Sequence, residues 1–195
     1  MGYDETVTVC LLAGGRSRRF GSDKALFPVE GVALIERLYA ELRKIGTEVW
    51  ISVRDSTQYY ELHPPAIHVP DTLPGAGPLA GIAACMERMQ TEWLLVVACD
   101  MPRITEEAVQ ILVQARAPDV DAVVAQTPDG RWHPLFALYH RRIRVEVEAY
   151  LASGERSLHG LLRRLRKVQW VVLDPEYLFN MNRPTDWPSQ DTSGV

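Results

Sequence analysis

The chain has 195 residues, 47% hydrophobic and 24% charged, which is enough for one α/β domain with a full core and ordinary for a soluble globular protein. A net charge of −4 argues against a general nucleic-acid binder, and the longest apolar run, WLLVVAC (93–99), is far too short to cross a bilayer. The N-terminal MGYDETVTV lacks the apolar stretch of a signal peptide, and Cys10, Cys85 and Cys99 stand apart in apolar surroundings without a CxxC pair, so they read as buried thiols in a reducing, cytoplasmic compartment.

In chain order, VTVCLL (7–12) reads as a buried strand, followed by a long cationic loop. ALIERLYAELRKI (33–45) reads as a helix, with Leu34, Ile35, Leu38, Leu42 and Ile45 on one face and Lys44 and Gly46 as its stop. EVWISV (48–53) and AIHV (66–69) are strands, and Pro78 opens the helix PLAGIAACMERM (78–89). WLLVVAC has the continuous apolarity of a central parallel strand, and Thr105 caps EEAVQILVQAR (106–116). DAVVAQ (121–126) and HPLFALY (133–139) flank an Asp129-Gly130 turn and predict an antiparallel excursion. Helices follow at 141–153 and 157–167, the second with a Leu158, Leu161, Leu162, Leu165 stripe, and VQWVVL (168–173) closes the sheet. The expectation is a single domain over 1–187 with a disordered tail at 188–195.

This alternation predicts a doubly wound, mostly parallel sheet with ligands bound beyond the carboxyl ends of its strands. The loops at 13–24, 70–78 and 99–103 all follow strands and are expected to converge there. In LLAGGRSRRFGSDKALF (11–27), Gly14 and Gly15 allow a tight bend whose N–H groups cradle an anion, and Arg16, Arg18, Arg19 and Lys24 supply positive charge. Such a loop suits a triphosphate, although its spacing matches neither a Walker loop nor GxGxxG. PDTLPGAGPLAG (70–81), with Gly75, Gly77 and Gly81, reads as a rigid wall against a flat ring. Asp100, at the exit of the most apolar strand, needs a cation or a partner, and one or two carboxylates with substrate phosphates are how Mg²⁺ is held. In LFNMNRPTDW (178–187), Asn180 and Asn182 alternate and point to one side of an extended segment. His133 reads as structural, and Arg163, Arg164, Arg166 and Lys167 as a solvated face.

LLAGGRSRRFGSDKA, GPLAGI, CDMP, HPLFALY and FNMNRPTD, in that order, resemble the molybdenum cofactor guanylyltransferases over about residues 7–187. The first motif marks the wider nucleotidyltransferase superfamily; the last two narrow the resemblance. It implies a three-layer, Rossmann-like fold of glycosyltransferase-A type and transfer of GMP from GTP to molybdenum-bound molybdopterin, with Mg²⁺ as cofactor and molybdoenzymes or their chaperones as further partners. By motif match Leu12, Ala13, Gly14, Lys24 and Asp71 would contact GTP, Asp100 would bind both nucleotide and Mg²⁺, and Asn180 and Asn182 would meet the pterin. Lys24 and Arg19 would neutralise phosphate charge, and backbone carbonyls over 75–81 are candidates for holding guanine. An Asn that contacts GTP in family members corresponds here to Arg54, a departure from the pattern. A relative using CTP or a sugar phosphate, and a non-catalytic nucleotide or cofactor carrier, are the alternatives.

Overall fold

A computed structural model describes residues 4–13, 23–54, 59, 66–71, 73 and 75–187. The elements, in chain order, are β1 (Asp4–Leu12), β2 (Pro28–Val29), β3 (Val32–Ala33), α1 (Leu34–Leu42), β4 (Gly46–Val53), β5 (Ile67–Pro70), α2 (Pro78–Arg88), β6 (Trp93–Ala98), α3 (Glu106–Gln114), β7 (Ala122–Gln126), β8 (Trp132–His140), α4 (Arg144–Ala152), α5 (Leu158–Leu162) and β9 (Val168–Val172). Among the described residues seven strands form one sheet, ordered β5-β4-β1-β6-β8-β7-β9. β5, β4, β1 and β6 run parallel, β8 is antiparallel to both its neighbours, and β9 is parallel to β7.

Strand residues alternate between two cores. Val9, Leu11, Leu95 and Val97 pack under α1 and α3 with Leu38, Leu42 and Leu112, whereas Cys10, Leu94 and Val96 pack under α2, α4 and α5 with Leu79, Ile82, Tyr150 and Leu161. Both faces of the central strands are therefore covered, which is why β6 is apolar and buried along its whole length. Each fully buried Leu or Val contributes about 1.5–3 kcal/mol of transfer free energy. The result is the expected three-layer, mostly parallel α/β arrangement.

Local chemistry explains the boundaries. Pro78 occupies the first turn of α2, and Thr105 accepts the Ala108 N–H at 3.3 Å to cap α3. The Asp129-Gly130 turn is closed by a Gly130 N–H donated to the Thr127 carbonyl at 2.8 Å. The predicted helix over 33–45 is shorter at both ends: residues 28–33 form the β2–β3 hairpin around Glu30 and Gly31, both at positive φ (53° and 83°), and after Leu42 the Lys44 and Ile45 N–H groups close tight turns onto the Glu41 and Leu42 carbonyls before Gly46 begins β4. The predicted helix over 157–167 ends at Leu162: the buried Asp121 carboxylate accepts the N–H groups of Arg166 and Lys167 at 2.9 and 3.3 Å and turns the chain into β9. The helix expected over 141–153 opens with a 3₁₀ turn, Arg141–Ile143, before α4. Cys10 and Cys85 are buried as expected but do not stand apart, since Cys85 Sγ lies 3.2 Å from Cys10 Sγ. The expected tail at 188–195 lies outside the described residues.

Candidate functional site

β1 lies between β4 and β6, and the three end together. Leu12 pairs with Ser52 on one side and Ala98 on the other, while Val53 pairs with Pro70 one strand further out. Backbone bonds tie the loops to this edge: Ala13 N–H to the Ser52 carbonyl (3.0 Å), Cys99 N–H to the Leu12 carbonyl (3.0 Å) and Asp71 N–H to the Val53 carbonyl (2.9 Å). The convergence of strand-end loops expected from the sequence is thus a property of the register.

Asp23 caps a 3₁₀ turn, Lys24–Leu26, by accepting the Ala25 N–H at 3.1 Å. Lys24 thereby brings its Nζ to 3.5 Å from Asp100 Oδ2, with the two side chains 16% and 30% exposed. The separation is long for a hydrogen bond, so the pair is a cation and an anion held adjacent rather than locked together. The Tyr59 hydroxyl lies 3.1 Å from the Ala13 carbonyl and 2.8 Å from Asp23 Oδ2, so one buried phenol braces both ends of the cationic loop. Tyr59 sits at φ 62°, a region that non-glycine residues seldom adopt. Gly14, Gly15 and Arg19 of that loop lie outside the described residues.

On the other flank, Ser52, only 2% exposed, donates its hydroxyl to Asp71 Oδ1 at 3.2 Å. Burial raises the Asp71 carboxyl above the ordinary carboxylate range; the Ser52 hydrogen bond and the positive charge of Arg54 pull it back down. Arg54 itself is exposed, immediately past β4. Gly77, at φ 73°, precedes α2 as its N-cap. Gly81 has a packing task. A Cβ there would collide with Ser52 Oγ and lie 2.9 Å from Leu12 Cδ2 and 3.2 Å from Asp71 Oδ1, so this glycine lets α2 sit against the strand ends.

The segment after β9 reaches the same edge. Met181, fully buried, donates its N–H to the Asp100 carbonyl at 2.8 Å, while its neighbours Asn180 and Asn182 are half-buried and exposed. This is the alternation anticipated for the two asparagines. Asp186 Oδ2 accepts the N–H groups of Asn182 and Arg183 at 2.7 and 2.8 Å, which holds the Asp186 carboxyl below its ordinary range and fixes the turn. His133 on β8 is 7% exposed, burial lowers its pKa, and its Nε2 has no partner among the described residues.

Lys24, Asp71, Asp100, Asn180, Asn182, Leu12, Ala13 and Arg54 all belong to strand ends, or segments bonded to them, along one sheet edge. Ser52, Tyr59 and Asp23 carry much of the positioning; Asp23 lies within the LLAGGRSRRFGSDKA motif, no local motif marks Tyr59, and a polar residue inside the apolar strand EVWISV was the one available signal at Ser52. Among the described residues no three His, Cys, Asp or Glu side chains cluster as a cation cage. A lone, part-exposed carboxylate such as Asp100 suits a divalent ion whose other ligands are phosphate and water.

A groove of about 710 Å³ lies elsewhere, between α1, the β2–β3 hairpin and the chain around Arg103, Tyr177 and Trp187. Its basic residues Arg37 and Arg103 are paired with Glu30 and Glu176, Glu41 is paired with Lys44, and Glu36 adds further negative charge. That sign disfavours a polyphosphate.

Comparison with known proteins bears on the same region. Residues 9–168 match the family model of the MobA-like NTP transferase domain. The chain is 34% identical over 193 residues to a protein of Methanothermobacter thermautotrophicus named "Probable molybdenum cofactor guanylyltransferase", covering 93% of this chain and 98% of that one. A protein of the same name from Synechococcus elongatus is 31% identical over 189 residues, covering 94% and 97%. Among solved structures, "Molybdopterin-guanine dinucleotide biosynthesis protein A" of Archaeoglobus fulgidus superposes with a TM-score of 0.79 at 26% identity, covering 92% of this chain and 94% of that one.

Proposed function

The chain belongs to the MobA-like NTP transferase family, and from that premise we propose that it transfers GMP from GTP to the phosphate of molybdenum-bound molybdopterin, giving a guanine dinucleotide cofactor and pyrophosphate. The observation that carries this reading is the meeting of Lys24 with Asp100 at the end of the central strands. A cation beside a hard carboxylate is the pairing that a nucleoside triphosphate and its divalent ion need.

In this reaction a phosphate oxygen of the pterin attacks the α-phosphorus of GTP in line. The new P–O bond forms as the bond from the α-phosphorus to the bridging oxygen breaks, and pyrophosphate departs with that electron pair. The nucleophile is already anionic, so the protein's work is positioning and charge stabilisation rather than proton removal. A buried, neutral His133 accords with that.

Lys24 and Arg19 oppose the phosphate charge, Leu12 and Ala13 line the nucleotide where the chain leaves β1, the N–H groups of Gly14 and Gly15 cradle phosphate oxygens, and Arg54 reaches a phosphate or the ribose. Asp71 accepts hydrogen bonds from the nucleotide. Gly77 opens the turn whose carbonyls, over 75–81, accept the N1–H and N2–H₂ donors of guanine. Asn180 and Asn182 hold the pterin, their spacing from Asp100 set by the Met181 N–H. Mg²⁺, held by Asp100, would supply further charge neutralisation at the phosphates. On this reading the protein works in the cytoplasm and its product passes to molybdoenzymes or their chaperones.

The test is pyrophosphate release from GTP with molybdopterin and Mg²⁺, run against CTP. Turnover that depends on GTP is expected; a clear preference for CTP, or release that does not require molybdopterin, overturns the assignment.

A further inference from the structure

Three separate interactions meet at Ser52. Its carbonyl accepts the Ala13 N–H at 3.0 Å, which fixes where the cationic loop leaves β1. Its hydroxyl donates to Asp71 Oδ1 at 3.2 Å. Its Oγ fills the space that a side chain at Gly81 would need, so α2 closes directly onto it. Ser52 is 2% exposed and is the polar residue among the apolar side chains that end β4, where Ile51 and Val53 are wholly buried. A buried hydroxyl in an apolar strand is maintained against its desolvation by its hydrogen bond, and here that bond goes to a carboxylate at the candidate site.

We propose that Ser52 is a positioning residue for nucleotide binding, acting through the carboxylate of Asp71. The proposal rests on the reading that Asp71 contacts the nucleotide. Asp71 has two carboxylate oxygens; the Ser52 hydroxyl engages Oδ1, and the Asp71 backbone N–H is already spent on the Val53 carbonyl. The Ser52 bond thereby limits how the carboxylate can turn. Without the hydroxyl, the side chain gains rotational freedom, and its charged form loses a donor in a partly desolvated place.

The second consequence gives a readout that simple loss of packing would not produce. Burial raises the Asp71 carboxyl, and Ser52 and Arg54 lower it. Among the described residues, the titratable or charged groups facing Asp71 are Arg54 past β4 and the Cys10 thiol on β1, which burial and Cys85 keep protonated. Removing the Ser52 hydroxyl raises the Asp71 carboxyl further. Nucleotide affinity that depends on ionised Asp71 is present above that pKa and is lost as pH falls through it, so the acid limb moves to higher pH in the variant.

The experiment is a double-mutant cycle on the full chain with Ser52→Ala, Asp71→Ala, which removes the acceptor, and the double variant, measuring GTP affinity by calorimetry across pH, with thermal unfolding as the check on folding. Ser52→Cys, which keeps the side-chain volume but is a weak donor, replaces Ser52→Ala if that variant does not fold. Ser52→Ala is expected to weaken GTP binding about tenfold and to raise the acid limb. Asp71→Ala is expected to weaken it more, and the double variant to bind no worse than Asp71→Ala alone. Additive losses, an unmoved acid limb, or unchanged affinity in Ser52→Ala overturns the proposal. If Asp71→Ala alone leaves GTP affinity intact, the Ser52 role falls while guanylyl transfer stands. If the wild-type chain binds CTP in preference to GTP, guanylyl transfer falls, and the same cycle run with CTP decides the role of Ser52 by the same criteria.

Discussion

Asp100 and Lys24 are separated by 76 residues and stand 3.5 Å apart, and substitutions there test chemistry more than folding because both side chains are partly exposed. Asp100→Ala is expected to lower kcat about a hundredfold to a thousandfold with the unfolding temperature nearly unchanged, measured by pyrophosphate release and calorimetric melting. Near-normal turnover in a folded Asp100→Ala protein removes Asp100 from the site. Asp71 makes the opposite kind of prediction. Its folded-state pKa is raised, so the ionised form destabilises the fold above that pKa, and the effect vanishes at lower pH where Asp71 is protonated. Asp71→Asn keeps an acceptor for Ser52 and removes the buried charge. The variant is expected to melt higher than wild type at pH 7 and to lose that advantage in acid, while binding GTP more weakly; an unchanged or lower melting temperature at pH 7 contradicts the burial argument. Of the candidate residues named from the sequence, Lys24, Asp71, Asp100, Asn180 and Asn182 are brought to one sheet edge. Tyr59 and Ser52 were not among those named, because their value lies in reaching Asp23 and Asp71 across the fold.

Elements were legible where periodicity or a cap spoke locally, and less so where tertiary bonds decide. β6, α2 and α3 follow from an apolar run, a Pro at the first turn and a Thr cap. The truncation of α5 depends on Asp121, 45 residues away from Arg166, and no helical pattern reports it. The β2–β3 hairpin rests on a Glu-Gly turn with both residues at positive φ, a weaker signal than Asn-Gly or Asp-Gly. Two substitutions separate the roles of elements. Thr105→Ala removes the α3 cap and is expected to cost about 1 kcal/mol in urea unfolding without altering GTP affinity. Gly81→Ala forces α2 away from Ser52 and Leu12 and is expected to cost about 1–3 kcal/mol and to weaken GTP binding together. Full stability in Gly81→Ala means that α2 does not pack as closely as described.

At the scale of the molecule, a mostly parallel half, β5-β4-β1-β6, brings Asp71, Lys24 and Asp100 to one edge, and the antiparallel insertion of β8 lets the chain return after β9 with Asn180 and Asn182 beside Asp100. The sequence predicts the alternation and, through the Asp129-Gly130 turn, the pairing of β8 with β7, whereas the pairing of β8 with β6 follows from register and burial that no local motif carries. Because no three His, Cys, Asp or Glu side chains cluster as a cage among the described residues, bound metal is expected to depend on nucleotide: chelation should abolish turnover, Mg²⁺ should restore it, and Mg²⁺ without GTP should bind weakly by calorimetry. The most direct measurement is a crystal structure of the full chain with GTP and Mg²⁺. The account predicts the triphosphate at the ends of β1 and β6, between Lys24 and Asp100, with Asp71 on the nucleoside side; GTP seated instead in the acidic groove between α1 and Trp187 would contradict it.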